Sequence, residues 1–265
     1  MLHNIFAIPA LNDNYIWTIV HSKNRRAVIV DPGEAEPVLH FLEQKNFILT
    51  AILITHHHWD HTNGIRRIVE KYSVPIYGPS KDTIPFCNYS VRDRDTVELS
   101  EIELTFKVLE IPGHTLDHIV YWGNQWVYTG DTLFMAGCGR IFEGFPEQFY
   151  HSLMKLASLD PQTKVYCGHE YTDQNLQFAA TVEPDNFKLK KRIIETRQKL
   201  SRNQPTPPST IQLELETNPF LRCHEKSVQK RVQAYCGYPL TDIIAIFTAL
   251  RCWKNEFSLR QLKRL

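Results

Sequence analysis

The sequence predicts an α/β sandwich, sheet inside and helices outside, followed by a helical C-terminal domain. Two observations predict it. Over roughly the first 170 residues, short apolar runs bounded by turn residues alternate with stretches of helical period, the pattern of strands and the helices that cover them. After about Tyr171 the short runs give way to longer, more polar helical patterns. We therefore expect two domains, residues 1–171 and residues 172–265.

In chain order, the strand candidates are TIVHS (18–22), RAVIVDPG (26–33), LTAILITH (49–56), VPIYG (74–78), IELTFKVLEIPGH (102–114), HIVYWGNQWVYTGD (118–131) and TKVYCGHE (163–170). The sixth contains IVYW and QWVYTG joined by Gly123-Asn124, which reads as a tight hairpin. Between the strands, EAEPVLHFLEQKN (34–46), GIRRIVEKY (64–72) and FYHSLMKLASL (149–159) carry helical spacing. Beyond Tyr171, helices are expected over 173–184, 187–203, 227–235 and 241–257, with NQPTPPST (203–210) as an extended connector.

Composition excludes several classes. A net charge of +1 offers no general attraction to nucleic acid or acidic membranes. No run approaches the ~20 apolar residues that span a bilayer, and the first residues carry no basic stretch followed by an apolar one. The six cysteines show no CxxC spacing, so they read as reduced, mostly buried thiols. A cytoplasmic protein acting on a small molecule, and working as a monomer, is the expectation.

The chain's most informative stretch is ITHHHWDHTNG (54–64). Four histidines and an aspartate fall between His56 and His61, where an apolar strand hands over to a helix. In α/β proteins such strand ends carry ligand sites. His56 and His58 are two apart and share a side in extended chain. Asp60 and His61 come as the chain turns, so they can face a second, neighbouring point. A single histidine in such a turn is ordinarily a solvent-facing or capping residue. A cluster this dense after an apolar strand is better read as imidazole and carboxylate ligands for zinc, iron or manganese. Three later strand ends supply further candidates, each behind a glycine: His114 (IPGH), Asp131 (YTGD) and His169 (CGH). Each alone reads as a structural histidine or a turn aspartate. With the cluster they make five histidines and two aspartates, enough for two metals with one shared carboxylate.

THHHWDH, PGHT, TGD and CGHEYT, in this order, resemble the metallo-β-lactamase superfamily with its αββα four-layer sandwich. IPALNDNYIW, VDPGEAEPV, DTLFMAGCGRIFEG, GHEYTDQNLQFA, NQPTPPST, TNPFLR and ALRCWKNEF narrow the resemblance to the glyoxalase II (hydroxyacylglutathione hydrolase) family, over essentially the whole chain. The resemblance implies that His56, His58 and His114 bind one divalent metal, that Asp60, His61 and His169 bind a second, and that Asp131 bridges them. Zinc is named first, and iron and manganese suit the same ligands. It implies hydrolysis of S-D-lactoylglutathione and related S-2-hydroxyacylglutathiones by a hydroxide held between the metals, the second step of methylglyoxal detoxification. Asp131 and Asp60 would be the catalytic carboxylates, Asp60 orienting the hydroxide. It further implies that Arg140, Phe142, Tyr171, Arg251 and Lys254 bind the glutathione part. Phe142 lacks a hydroxyl that the family often has there. Asn63 and Asp117 stand where the family usually has glycine, and both are expected to shift the local backbone.

The remaining motif residues have plainer readings. His57 points away from the metal side, and His118 is a structural hydrogen-bonding histidine. Asp31 shapes its turn and bonds a ligand imidazole, while Cys138 and Cys167 pack. Four rival functions are weighed. Another hydrolase of the superfamily, such as a β-lactamase, commonly has a cysteine at the Asp131 position. A mononuclear-iron persulfide dioxygenase keeps only some of the seven ligands. A nucleic-acid-processing protein would carry a long basic run. A dead metal-binding module would lack the complete set.

Overall fold

The computed structural model describes residues 2–262. Residue 1 and residues 263–265, the outer ends of the two expected domains, lie outside the described residues.

Two six-stranded sheets form the centre. The first runs β1 (His3–Ala10), β2 (Asn14–His21), β3 (Arg26–Val30), β4 (Ile48–Leu53), β5 (Ile76–Gly78) and β6 (Tyr89–Ser90) in sequential order. It is antiparallel from β1 to β3 and parallel from β3 onwards. Parallel neighbours need a crossover. The helix α1 (Ala35–Lys45) supplies one, and α2 (Trp59–Thr62) with α3 (Ile65–Val69) the next. The second sheet is built from β7 (Thr96–Leu99), β8 (Leu104–Glu110), β9 (Ile119–Gly123) and β10 (Trp126–Gly130), an antiparallel meander. A two-stranded ribbon, β11 (Leu133–Phe134) and β12 (Gly137–Cys138), follows. Then α4 (Pro146–Ala157) crosses over so that β13 (Lys164–Cys167) lies parallel to β10.

The period-2 alternation decides which side chains go where. In β3, Val28 and Val30 face the second sheet, and Ala27 and Ile29 face the helices. Trp17, Val28 and Leu53 meet Phe106, Tyr121 and Tyr128 between the sheets. Outside the first sheet, Val38 and Leu42 of α1 and Ile65 and Ile68 of α3 cover Ile16, Ile29 and Ile52. Outside the second, Phe149 and Leu153 of α4 cover Val120, Val127 and Val165. The layers are helix, sheet, sheet, helix, as expected.

The C-terminal region contributes α5 (Thr172–Val182), α6 (Phe187–Leu200), β14 (Ser209–Thr210), α7 (Ile211–Thr217), α8 (Lys226–Cys236) and α9 (Ile243–Leu262). Phe178 of α5, Val228 of α8, and Phe247 and Leu250 of α9 share one core with α4 and the second sheet. The expected connector is extended, but its end also joins the sheet: β14 pairs antiparallel with β13. The hairpin turn sits one residue later than expected. Asn124 and Gln125, both with positive φ, are its centre, and Gly123 ends β9 opposite Trp126. Its glycine answers a different demand, since a Cβ there would lie 2.4 Å from the Thr105 carbonyl oxygen. Strand β1 was not expected. Among the described residues, no helix is long and apolar enough to cross a membrane.

Candidate metal centre

The four strand ends marked in the sequence come together. β4 leads into Thr55 and His56, β8 into His114, β10 into Asp131 and β13 into His169. The two sheets are tied there: Ile119 N–H donates to Thr55 O (2.9 Å), Tyr121 O–H to Ile54 O (3.0 Å), and Asn14 bridges to His169. Two glycines make the approach possible. Gly130 has φ +45°, a region L side chains rarely adopt, and so delivers Asp131 from a bulged strand end. At Gly168, a Cβ would lie 2.6 Å from Asp131 Oδ1.

His58 Nδ1 lies 3.2 Å from His56 Nε2 and 3.0 Å from His114 Nε2. His61 Nε2 and His169 Nε2 are 3.3 Å apart, and Asp60 Oδ2 is 3.5 Å and 3.3 Å from them. Asp131 stands between the groups: Oδ2 is 3.5 Å from His114 Nε2 and 3.2 Å from His169 Nε2, and Oδ1 is 3.3 Å from His61 Nε2. Four ligands at about 2.0–2.1 Å in a tetrahedron are about 3.3–3.4 Å from one another. The observed spacings match that figure. Asp131 Oδ1 is also buried and accepts no hydrogen bond, so a cation is the partner that satisfies it. The donor set fits two divalent ions.

The backs of the imidazoles are held, which fixes the nitrogen each turns inward. His61 Nδ1 meets Asp31 Oδ2 (3.1 Å), His169 Nδ1 meets Asp13 Oδ1 (2.7 Å) and His114 Nδ1 meets Arg140 O (2.9 Å). His56 Nδ1 meets Thr55 Oγ1 (3.0 Å), whose hydroxyl donates to Asp31 Oδ2 (2.7 Å). Asp60 accepts from Asn14 Nδ2 (3.0 Å). Asp31, at φ +54°, both shapes its turn and bonds a ligand imidazole. His118 is fully buried, and its Nε2 accepts the Asp131 N–H (3.1 Å).

The electrostatics divide the cluster. Burial holds His56, His58 and His114 below the ordinary histidine range, so their rings are neutral at neutral pH, the form that ligates a metal. Burial works the same way on His61, yet Asp131 and Asp31 overcome it and raise His61 to about 10. His169 is raised too, against burial, by Asp131, Asp13 and Asp60. Burial works against ionisation of Asp131, but His169 and His61 keep it well below the usual carboxylate range. This carboxylate field attracts a cation.

Beside the cluster is a cavity of about 490 Å³ whose lining includes Arg140, Phe142, Tyr171, Arg251 and Lys254 together with His114 and Asp131. Tyr171 stacks on His169 (4.8 Å between centroids, 4°). Burial raises its phenol to about 12, so it stays a hydrogen-bond donor. Phe142 is 62% exposed and packs edge-on against His58 and His114. Lys254 Nζ donates to Gln174 O (3.2 Å). Arg251 Nη1 donates to Cys138 O (2.8 Å) and Gly139 O (3.2 Å).

Asn63 has φ −63°, and Asp117 is absent from the positive-φ residues. Neither position uses the left-handed backbone that glycine most readily supplies. Asp117 instead accepts from His57 Nδ1 (2.9 Å) and Thr115 (2.7 Å), and His57 Nε2 is 3.2 Å from Glu143. Burial pushes the Cys138 thiol up and Cys167 to about 12, so both pack rather than react. Two site residues were missed: Asp13 and Asn14. The only signal was the polar run LNDN between apolar strands, which also describes an ordinary turn.

Residues 13–169 match the metallo-beta-lactamase superfamily, and residues 170–257 match the hydroxyacylglutathione hydrolase C-terminus. A hydroxyacylglutathione hydrolase of Nitrosomonas eutropha is 46% identical over 254 residues, covering 96% of this chain and 99% of that protein. One from Pseudomonas aeruginosa is 45% identical over 257 residues, with 96% and 99% covered. Among solved structures, ETHE1 from Myxococcus xanthus superposes with a TM-score of 0.64 at 26% identity, covering 95% of this chain and 99% of that one. The BLEG-1 B3 metallo-beta-lactamase also gives 0.64, at 22% identity, with 82% and 99% covered, and shows the shared fold.

Proposed function

The chain belongs to the hydroxyacylglutathione hydrolase family, and we propose that its seven convergent ligands hold two divalent metal ions that serve the hydrolysis of S-D-lactoylglutathione to D-lactate and glutathione. It is a thioester hydrolase. The carrying observation is the placement of a buried, unsatisfied carboxylate oxygen, Asp131 Oδ1, among the ligand atoms of both clusters.

His56, His58 and His114 would hold one ion and Asp60, His61 and His169 the other, with Asp131 within reach of both. Zinc is our first choice, and iron and manganese fit the same nitrogen and oxygen donors. Bound there, such ions supply Lewis-acid polarisation of a carbonyl and an activated water at neutral pH. The chain's own residues do the rest. Asp60, fixed by Asn14, is placed to orient the attacking water. The acyl–sulfur bond breaks and the electron pair leaves with sulfur. A thiol with a pKa near ~8.5 is a good leaving group, so no strong general acid is needed. The cavity supplies cations for the two carboxylates of glutathione: Arg140, exposed at the rim, and Lys254 deeper in. Tyr171 offers its hydroxyl, and Phe142 an apolar wall. All seven ligands come from one chain, and the six cysteines are free thiols. We read the protein as a monomer of a reducing compartment, the cytoplasm.

The test of substrate class is a comparison of two thioesters. S-D-lactoylglutathione and S-D-lactoyl-N-acetylcysteamine share the reacting bond, but the second lacks both carboxylates. Two lost charge-assisted contacts at about 1.5–3 kcal/mol each predict a kcat/KM at least ~100-fold lower. Equal values would mean that glutathione is not what the cavity recognises.

A pH profile probes Lys254 separately. Burial, with Arg251 beside it, lowers its ammonium to about 7. Lysine is charged below that value and neutral above it, and a carboxylate binds the charged form. KM therefore rises between pH 7 and 9, by at most about tenfold per pH unit. K254M flattens the rise. Superimposable profiles for the two proteins would remove Lys254 from substrate binding.

A further inference from the structure

His57 stands between two ligand histidines but spends both ring nitrogens elsewhere. Nδ1 is 2.9 Å from Asp117 Oδ1, and Nε2 is 3.2 Å from Glu143 Oε1. Each carboxylate has further donors. Thr115 O–H donates to Asp117 Oδ1 (2.7 Å) and Thr83 O–H to Asp117 Oδ2 (3.2 Å). Leu116 N–H donates to Glu143 Oε2 (2.8 Å). One imidazole thus ties together four segments far apart in sequence: the turn after β4, the loop from β5 to β6, the loop from β8 to β9, and the loop from β12 to α4.

The last of these carries Arg140 and Phe142, which line the cavity. It runs along the segment that carries His114. Phe142 N–H donates to His114 O (3.2 Å), and Gly144 N–H donates to Gly113 O (3.2 Å). A Cβ on Gly144 would lie 2.7 Å from Gly113 Cα, so the two stretches of main chain touch. Glu143, between the two bonded amides, adds Leu116 and His57 as anchors. The Phe142 ring meets His58 and His114 edge-on, at 5.6 and 5.2 Å between centroids, yet is 62% exposed. A ring this exposed has little packing of its own to hold it, so its place depends on how the main chain beside it is fastened. Asp117 acts one step back. A glycine there, usual in the resembled family, would leave His57 Nδ1 and both threonine hydroxyls without this acceptor.

We propose that Asp117, His57 and Glu143 form a clasp that positions the 140–144 loop, so that Arg140 and Phe142 stand in place for the glutathione part of the thioester. The three are positioning residues, acting through Arg140 and Phe142. The inference rests on the glutathione reading of the cavity. The clasp side chains are 28%, 20% and 36% exposed for His57, Asp117 and Glu143, so water screens their attraction and the effect of losing one is modest.

The test leaves the metal-binding motif untouched. It uses the full chain loaded with zinc, as wild type, D117A, E143A and E143Q. Amide hydrogen exchange is followed over residues 139–145. kcat and KM are measured on S-D-lactoylglutathione and on S-D-lactoyl-N-acetylcysteamine, and the ions are counted in each preparation. In D117A and E143A the 139–145 amides should exchange at least ~10-fold faster, while those of β3 and β4 keep their wild-type rates. KM for the glutathione thioester rises about three- to tenfold, with kcat within about twofold of wild type. Kinetics on the N-acetylcysteamine thioester move less than about twofold, because it has no carboxylate for Arg140 to hold. Both ions stay bound. E143Q keeps an acceptor for Leu116 N–H and falls between E143A and wild type. Wild-type exchange in D117A and E143A overturns the proposal, and so does faster exchange with an unchanged KM. Loss of an ion with an unchanged KM also overturns it, since the cluster would then support the metals and not the loop. If E143A does not fold, D117A decides on the same readings. A wild type that leaves S-D-lactoylglutathione intact would defeat the proposed substrate. The exchange rates, with calorimetric binding of glutathione in place of KM, would still decide the clasp.

Discussion

Replacing Asp131 with alanine removes metal and turnover together. Asp131 is the carboxylate common to both halves of the centre, with oxygens 3.2–3.5 Å from His61, His114 and His169. Without it, five imidazoles converge on a buried space with Asp60 as the remaining nearby ligand carboxylate. A divalent ion there would lose a charged ligand in a site where burial already penalises charge. Several kcal/mol of transition-state stabilisation are then lost, and a kcat at least ~1,000-fold lower is expected. D131N keeps the shape and one oxygen but not the charge, so it falls between D131A and wild type in metal content. Element analysis and kcat on the same preparations check this. D131A with both metals and activity within tenfold of wild type would rule out the shared-carboxylate reading.

Glu214→Ala unfolds the protein at a markedly lower urea concentration. Glu214 is fully buried on α7 and pairs with Arg192 of α6, itself 5% exposed. Its Oε2 accepts from Ala136 N–H (2.8 Å) and Asn218 Nδ2 (3.1 Å). It thereby joins the helical region to the loop between β11 and β12. Arg192 also reaches Thr217 Oγ1 (2.6 Å) and Ser209 Oγ (3.2 Å). Truncation leaves a guanidinium buried without its anion and an amide without its acceptor, at a cost of about 3–5 kcal/mol. E214Q retains the acceptor for Ala136 and loses less. The double variant E214A/R192M removes the stranded charge, so it recovers most of the loss. Urea melts of the four proteins measure these differences. An unchanged midpoint for E214A would mean that the pair does not hold the region together.

The sequence revealed what depends on local pattern. Short apolar runs marked β3 and β4, the glycines before Asp131 and His169 marked close approach, and the density of His56 to His61 marked the site. What it missed depends on distant partners. Asp13 reaches His169 across 156 positions and Asn14 reaches Asp60 across 46, pairings that no local periodicity contains. The bonds of Arg251 to main-chain carbonyls more than 110 residues away were also out of reach, because main-chain groups leave no mark in a sequence. The hairpin turn was displaced by one residue because Gly123 was read as the turn former, when its place is set by the Thr105 carbonyl of the neighbouring strand. Asn63, where the resembled family usually has glycine, ends a helical turn at an ordinary φ.

The central claim is that one chain builds a two-metal centre that cleaves a glutathione thioester. The most direct test follows the thioester absorbance of S-D-lactoylglutathione with the purified protein and counts metal in the same sample. The account predicts rapid, chelator-sensitive turnover with two metal ions per chain. Two ions bound and no turnover would contradict it.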